Sequence, residues 1–164
     1  MIEGQGGTAM KILSIGTNNR RKCFEVRSRN KAFVFPFAKC GPKPSSKDGV
    51  VSVFPDPELG REAFTYVLKS GREGTVHIEQ VLEFNRDPSY LSEMIAYRLT
   101  VEARRSLAES GLSKRETIRR MHTSAAQFYR LLDPAKGKKS VDQLLRLLAV
   151  LGQDVQLRVF AKSA

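Results

Sequence analysis

The sequence has no tryptophan, only two cysteines and only two histidines, and it contains no recognisable catalytic motif. Cys23 and Cys40 form no CxxC pair and lie far from His77 and His122 in the sequence, so we expect free thiols and no metal site. Glycine-rich phosphate loops and Ser-His-Asp arrangements are also missing. We therefore expect a protein that is not an enzyme and has no cofactor.

Long apolar runs are missing as well, since no stretch approaches the roughly 18 apolar residues of a membrane span. The first ten residues are rich in glycine and weakly acidic, unlike the basic and then apolar layout of a signal peptide. We interpret residues 1–10 as a disordered leader or a cloning remnant, with Met10 as an alternative start. The expected location is cytoplasmic, without a membrane partner.

Positive charge is abundant and unevenly distributed. The formal net charge is +11, and residues 114–139 hold eight of the cations against two acids. An excess of this size favours an anionic partner, nucleic acid before acidic lipid or acidic protein. The alternative for a charge run without a motif is a solvated helix face.

The first half of the chain shows the two-residue apolar period of strands, from KILSIG through CFEVRS and AFVFPF to VVSVF. The segment GPKPSSKDG is a predicted loop. A helix is predicted after Asp56, with Phe64, Val67 and Leu68 as its apolar stripe and Gly71 as its end. The stretch TVHIEQVLEF is predicted to be a strand.

The segment NRDPS, residues 85–89, marks a predicted boundary before a helical period that ends at Gly111. Ser113 with Glu116 and Ser124 with Gln127 indicate capping boxes for two short helices. Ser140 opens a further leucine-rich helix. The tail DVQLRVF alternates as a final strand, which has no partner in the helical part. This strand, paired with a second copy, and the N-terminal domain are the two alternatives for a dimer interface.

These patterns predict an α+β chain. Residues 11–88 are expected to form a small β-rich domain of unknown role with one helix. Residues 89–164 are expected to form an all-α helix-turn-helix domain of about four helices with a C-terminal strand.

The stretch GLSKRETIRRMHTSAAQFYRLLD followed by SVDQLLRLLAVLG resembles the helix-turn-helix of phage-repressor and antitoxin-like (XRE-type) regulators. The resemblance implies a first short helix that crosses the DNA backbone and a second one that lies in the major groove. It implies base reading by Ala125, Ala126, Gln127 and Arg130. It also implies phosphate contacts, by Lys114, Arg115, Ser124, Tyr129, Lys136, Lys138 and Lys139.

Two positions depart from the family pattern. The family usually has a small residue where Ile118 stands and a glycine where His122 stands. Histidine tolerates the left-handed conformation better than most residues with a side chain, so we expect strain at the turn rather than collapse.

The function that these features predict is sequence-specific binding of double-stranded DNA by a homodimeric bacterial transcriptional regulator. Dimerisation is expected because one such module buries too little surface for tight binding, and two would address half-sites about 34 Å apart. The alternatives are an antitoxin-like module that binds a toxin-like protein, and a scaffold that has the helix-turn-helix but does not bind DNA.

Overall fold

A computed structural model describes residues 10–135 and 138–161. It divides the chain into two compact units, Thr8–Leu91 and a second unit from Ser92 onward. The leader predicted for residues 1–10 lies, except for Met10, outside the described residues. Within the described ranges, no helix is both long and apolar enough to cross a membrane.

The first unit contains two antiparallel three-stranded sheets. The first sheet has the order β1 (Ser14–Asn18), β2 (Cys23–Arg27) and β3 (Ala32–Pro36), followed by a 3-10 turn at Phe37–Lys39. The second has the order β4 (Val50–Pro55), β5 (Ala63–Leu68) and β6 (Glu73–His77). Phe24 joins the sheets in one core, because its ring lies 4.9 Å from that of Phe64 and 5.1 Å from that of Tyr66.

The predicted fold class is wrong. The described chain has six strands in two sheets and then five helices, and the β-rich part is larger than expected. Three segments account for the difference: the helix predicted after Asp56, the strand predicted at residues 75–84, and the C-terminal strand.

The segment predicted as a helix after Asp56 is a turn followed by the central strand β5. Asp56 Oδ1 accepts hydrogen bonds from the backbone N–H groups of Glu58 and Leu59, as a helix cap would. Gly60 and Arg61 then adopt positive φ, and the chain reverses into β5. Because β5 lies between two strands and is buried on both faces, its apolar residues form a run that periodicity alone cannot distinguish from a helix.

The segment predicted as one strand at residues 75–84 changes structure in its middle. Strand β6 ends at His77 and helix α1 (Ile78–Phe84) begins directly after it. The Gln80 side chain accepts a hydrogen bond from the His77 N–H at 2.9 Å, which stabilises the helix start. Ile78, Val81 and Leu82 are buried with helical spacing on one face of α1.

Four further helices follow: α2 (Pro88–Glu109), α3 (Lys114–Met121), α4 (Ala125–Leu132) and α5 (Val141–Val150). Ser113, Ser124 and Ser140 are the N-caps of the last three, each accepting a hydrogen bond from a backbone N–H three residues on. The reciprocal bonds of the two predicted capping boxes do not form among the described residues. The carboxylate of Glu116 instead binds Arg119 and Arg120.

The predicted C-terminal strand is absent from the described chain. Residues 152–161 are exposed, and residues 153–161 have no regular secondary structure. A strand requires a neighbouring strand to complete its backbone hydrogen bonds, and within the described residues the helical unit supplies none.

Asp87 is a buried carboxylate at the end of the first unit. Its Oδ2 accepts from Lys31 Nζ at 2.5 Å, and its Oδ1 accepts from the N–H groups of Ser89 and Tyr90. The ammonium of Lys31 lowers the pKa of Asp87 below its ordinary value. Asp87 thereby joins the turn before β3 to the start of α2.

We expect Asp87→Asn to lower the free energy of unfolding by about 1–2 kcal/mol at pH 7, because asparagine keeps the helix cap but loses the charge-assisted bond to Lys31. A carboxylate with a lowered pKa stabilises the fold above its ordinary pKa of about 4, and this contribution is lost as the pH falls. Urea unfolding at a series of pH values should therefore show the difference between the two proteins shrinking toward pH 3. A difference of the same size at pH 7 and pH 3 would contradict this role of the pair.

Candidate nucleic-acid interface

Helix α4 divides sharply into a buried and an exposed face. Phe128 and Leu131 are buried, and Phe128 belongs to a core with Ala103 of α2 and the α5 residues Leu147 and Leu148. Five of the first six residues of α4 are exposed to solvent, namely Ala125, Ala126, Gln127, Tyr129 and Arg130. All four residues predicted to read bases therefore lie on the solvent side of this helix.

Ser124 occupies the N-cap of α4. Its Oγ accepts from the Gln127 backbone N–H at 3.2 Å. The Gln127 side chain itself has no hydrogen-bond partner among the described residues. Arg130 likewise has no ion pair within the described part of the chain. The exposed face of α4 thus presents to solvent the amide of Gln127 and the guanidinium of Arg130, neither of which has a partner among the described residues.

The start of α3 lies next to α4 through a contact between a cation and an aromatic ring. Lys114 Nζ lies 5.8 Å from the centroid of the Tyr129 ring, and Tyr129 also packs edge-on against Phe128. Arg115 is exposed and has no ion pair among the residues described. Two of the predicted phosphate-binding cations are therefore available at the first turn of α3, although Lys114 also touches Tyr129.

An open groove of about 500 Å³ adjoins this contact, and Arg104 of α2 lines it together with Lys114, Tyr129 and Asp133. Arg104 was not predicted to take part in the site. Arg104 lies ten residues before α3, and nothing in the sequence indicates that it comes close to Lys114 and Tyr129. This proximity arises from the packing of α2 against the later helices.

Two other arginines of α3 are held by a carboxylate. Arg119 donates two hydrogen bonds to Glu116, at 2.6 Å and 2.9 Å, and Arg120 donates a third at 2.7 Å. The guanidinium of Arg119, and then that of Arg120, lowers the pKa of Glu116 to about 2. Glu116 is therefore ionised at neutral pH and offsets part of the positive charge of α3.

The three lysines predicted to contact phosphate after α4 differ in their surroundings. Lys136 lies outside the described residues. Lys138 is exposed, whereas Lys139 is half-buried and its Nζ donates to the carbonyl oxygen of Asp133 and, at 3.2 Å, to Thr100 Oγ1. Burial lowers the pKa of Lys139. Lys139 thus joins the end of α4 to α2, a role that its sequence position did not indicate.

Of the two departures from the family pattern, Ile118 lies inside α3 and His122 lies in the turn that follows it. His122 adopts the left-handed conformation, with φ 52° and ψ 43°, and its N–H closes the end of α3 on Arg119 and Ile118. Ile118 is only half-buried and packs at the margin of the core, while the smaller Thr117 beside it is fully buried. The turn therefore closes with histidine in the place where a glycine is expected.

Comparisons with protein-family models, with curated proteins and with solved structures find no match to this chain. Its function has to be inferred from its own residues and their geometry.

We expect His122→Val to lower the free energy of unfolding by about 1–3 kcal/mol, because a β-branched side chain fits the left-handed region poorly. His122→Gly is the matched control, since glycine adopts this conformation without steric cost, and it should be at least as stable as the unchanged protein. Urea unfolding followed by helical circular dichroism measures both. Equal stability of the valine and glycine variants would contradict the left-handed turn.

Proposed function

We propose that the helical unit binds double-stranded DNA, with α4 in the major groove, and that the protein is a sequence-specific transcriptional regulator of the phage-repressor and antitoxin-like type. The observation that carries this proposal is the exposed face of α4, on which Gln127 and Arg130 have no partner among the described residues. An α-helix fits the major groove, where each base pair presents a distinct pattern of donors and acceptors.

The exposed side chains have the chemistry for base reading. Arginine can donate two hydrogen bonds to guanine, glutamine can pair with the adenine edge, and the methyl groups of Ala125 and Ala126 can contact thymine methyls. Because Phe128 and Leu131 anchor the opposite face, α4 would present these groups in a fixed orientation.

The surrounding cations would supply affinity without reading sequence. Lys114 and Arg115 at the start of α3, and Lys138 after α4, are exposed. In the proposed complex they would contact phosphates. We add Arg104 to this set because it shares a groove with Lys114 and Tyr129.

Lys139 is assigned a structural role, since its ammonium already binds Asp133 and Thr100. A homodimer would place two such surfaces on successive turns of the duplex.

We expect Arg130→Ala to weaken binding to the preferred duplex by about 1–3 kcal/mol and to relax the preference at one base position. Lys138→Ala is the matched control for charge, because it also removes one exposed cation. It should weaken binding to all duplexes alike and make the dependence of binding on salt shallower by about one unit. Titrations at several salt concentrations measure both effects. Identical behaviour of the two variants on every duplex would contradict base reading by α4.

We expect Glu116→Gln to strengthen binding to any duplex, because it removes a negative charge and releases Arg119 and Arg120 from their ion pairs. The logarithm of the binding constant should then fall more steeply with salt, by up to about two units. The matched control is Glu93→Gln, which changes the net charge equally but lies about 24 Å along α2 from the end next to α3. If the two variants strengthen binding equally, the effect is one of overall charge and not of this surface.

A different outcome would favour the alternative function. If the purified protein binds no duplex at low salt but elutes with a protein in fixed stoichiometry, the helical unit acts as an antitoxin-like, protein-binding module. The exposed face of α4 would then be the contact surface for that protein.

A further inference from the structure

The C-terminal tail, residues 153–160, contains the three most exposed large hydrophobic side chains of the described chain. The exposed fractions are 43% for Val155, 81% for Leu157, 87% for Val159 and 81% for Phe160. Beyond Gln153, whose N–H binds the Leu148 carbonyl, no backbone hydrogen bond of the tail is found among the described residues. The tail therefore has an unpaired backbone and, when extended, an uncovered apolar side formed by Val155, Leu157 and Val159, with Phe160 on the opposite side. An unpaired backbone with an apolar side is typical of an edge that accepts another strand.

The tail is complementary to its own reversed copy about Gln156. One position to either side of Gln156 stand the apolar residues Val155 and Leu157. Two positions to either side stand opposite charges, Asp154 and Arg158, neither of which has an ion pair among the described residues. A two-fold symmetric interface requires this kind of self-complementarity, because each residue meets the symmetry-related position of the partner.

We propose that two copies of this chain associate through antiparallel pairing of their tails, with the two-fold axis at Gln156. In this register Asp154 lies opposite the partner's Arg158, and Val155 lies opposite the partner's Leu157. The pairing buries apolar side chains on one face and forms two cross-strand ion pairs on the other. Among the described residues of one helical unit the tail finds no strand to pair with, but it acquires one in the dimer.

The occupant is a second copy rather than an unrelated protein because the pattern matches itself at the apolar and the charged positions together. Pairing shifted by one residue in each chain places Leu157 on the axis and sets Asp154 opposite the partner's Phe160, which leaves the charges without direct partners. This inference does not rest on the proposed DNA binding and is tested without DNA.

Sedimentation of the full chain over a range of concentrations gives the dissociation constant of the dimer. Asp154→Arg and Arg158→Asp each place like charges opposite one another, and each should raise that constant by about tenfold or more. The double variant restores opposite charges and should return to within about threefold of the unchanged protein. These side chains are exposed, so unchanged circular dichroism of each variant verifies that the helical unit remains folded.

Cysteine cross-linking tests the register. Directly opposite residues have Cβ atoms about 4.5–5.5 Å apart, whereas diagonal neighbours are about 7–8 Å apart, so mild oxidation should join Gln156→Cys dimers faster than Leu157→Cys dimers. The unchanged protein controls for Cys23 and Cys40. A chain that remains a monomer at every concentration, or a dimer that neither charge reversal weakens, would overturn the proposal. Faster cross-linking at position 157 would overturn the axis at Gln156.

Discussion

The packing of Phe128 is the constraint on which the helical unit depends. Its side chain is fully buried against Ala103 of α2 and the leucines of α5. Since a helix with one face in a core must present the other to solvent, this contact decides that Gln127 and Arg130 point outward. The Ser124 cap and the left-handed turn at His122 place the start of α4 beside α3. Most of the candidate interface follows from this one buried ring and the turn that precedes it.

Charge on this surface is arranged by local pairing and not simply by the number of cations. Glu116 binds two arginines of α3, and Lys139 is directed inward toward Thr100 and the end of α4. On this surface, the cations that have no ion pair among the described residues are Arg104 of α2, Lys114 and Arg115 at the start of α3, Arg130 on α4 and Lys138 before α5. A count of basic residues in the sequence therefore overstates the positive electrostatic potential that an anionic partner meets at this surface. The ion pairs of Glu116 mark where that potential is reduced.

The sequence predicts the helices of the second half well because their signals are local. Serine caps and short apolar stripes act within a few residues, and Ser113, Ser124 and Ser140 each cap a helix in the structure.

The predicted fold class is nevertheless wrong, because parts of the structure depend on partners that are distant in the sequence. Strand β5 lies between β4 and β6 and is buried on both faces, so its run of buried residues imitates a helical stripe. Arg104 and Lys139 acquire their roles from contacts across the unit, which no local pattern encodes.

Selection of bound duplexes from a random pool by the purified protein tests the central claim most directly. We expect enrichment of a defined motif whose half-sites are about 10 base pairs apart, and we expect the Arg130→Ala protein to lose preference at one position of each half-site. A pool that shows no enriched motif after selection by a folded protein would contradict sequence-specific recognition by this helix.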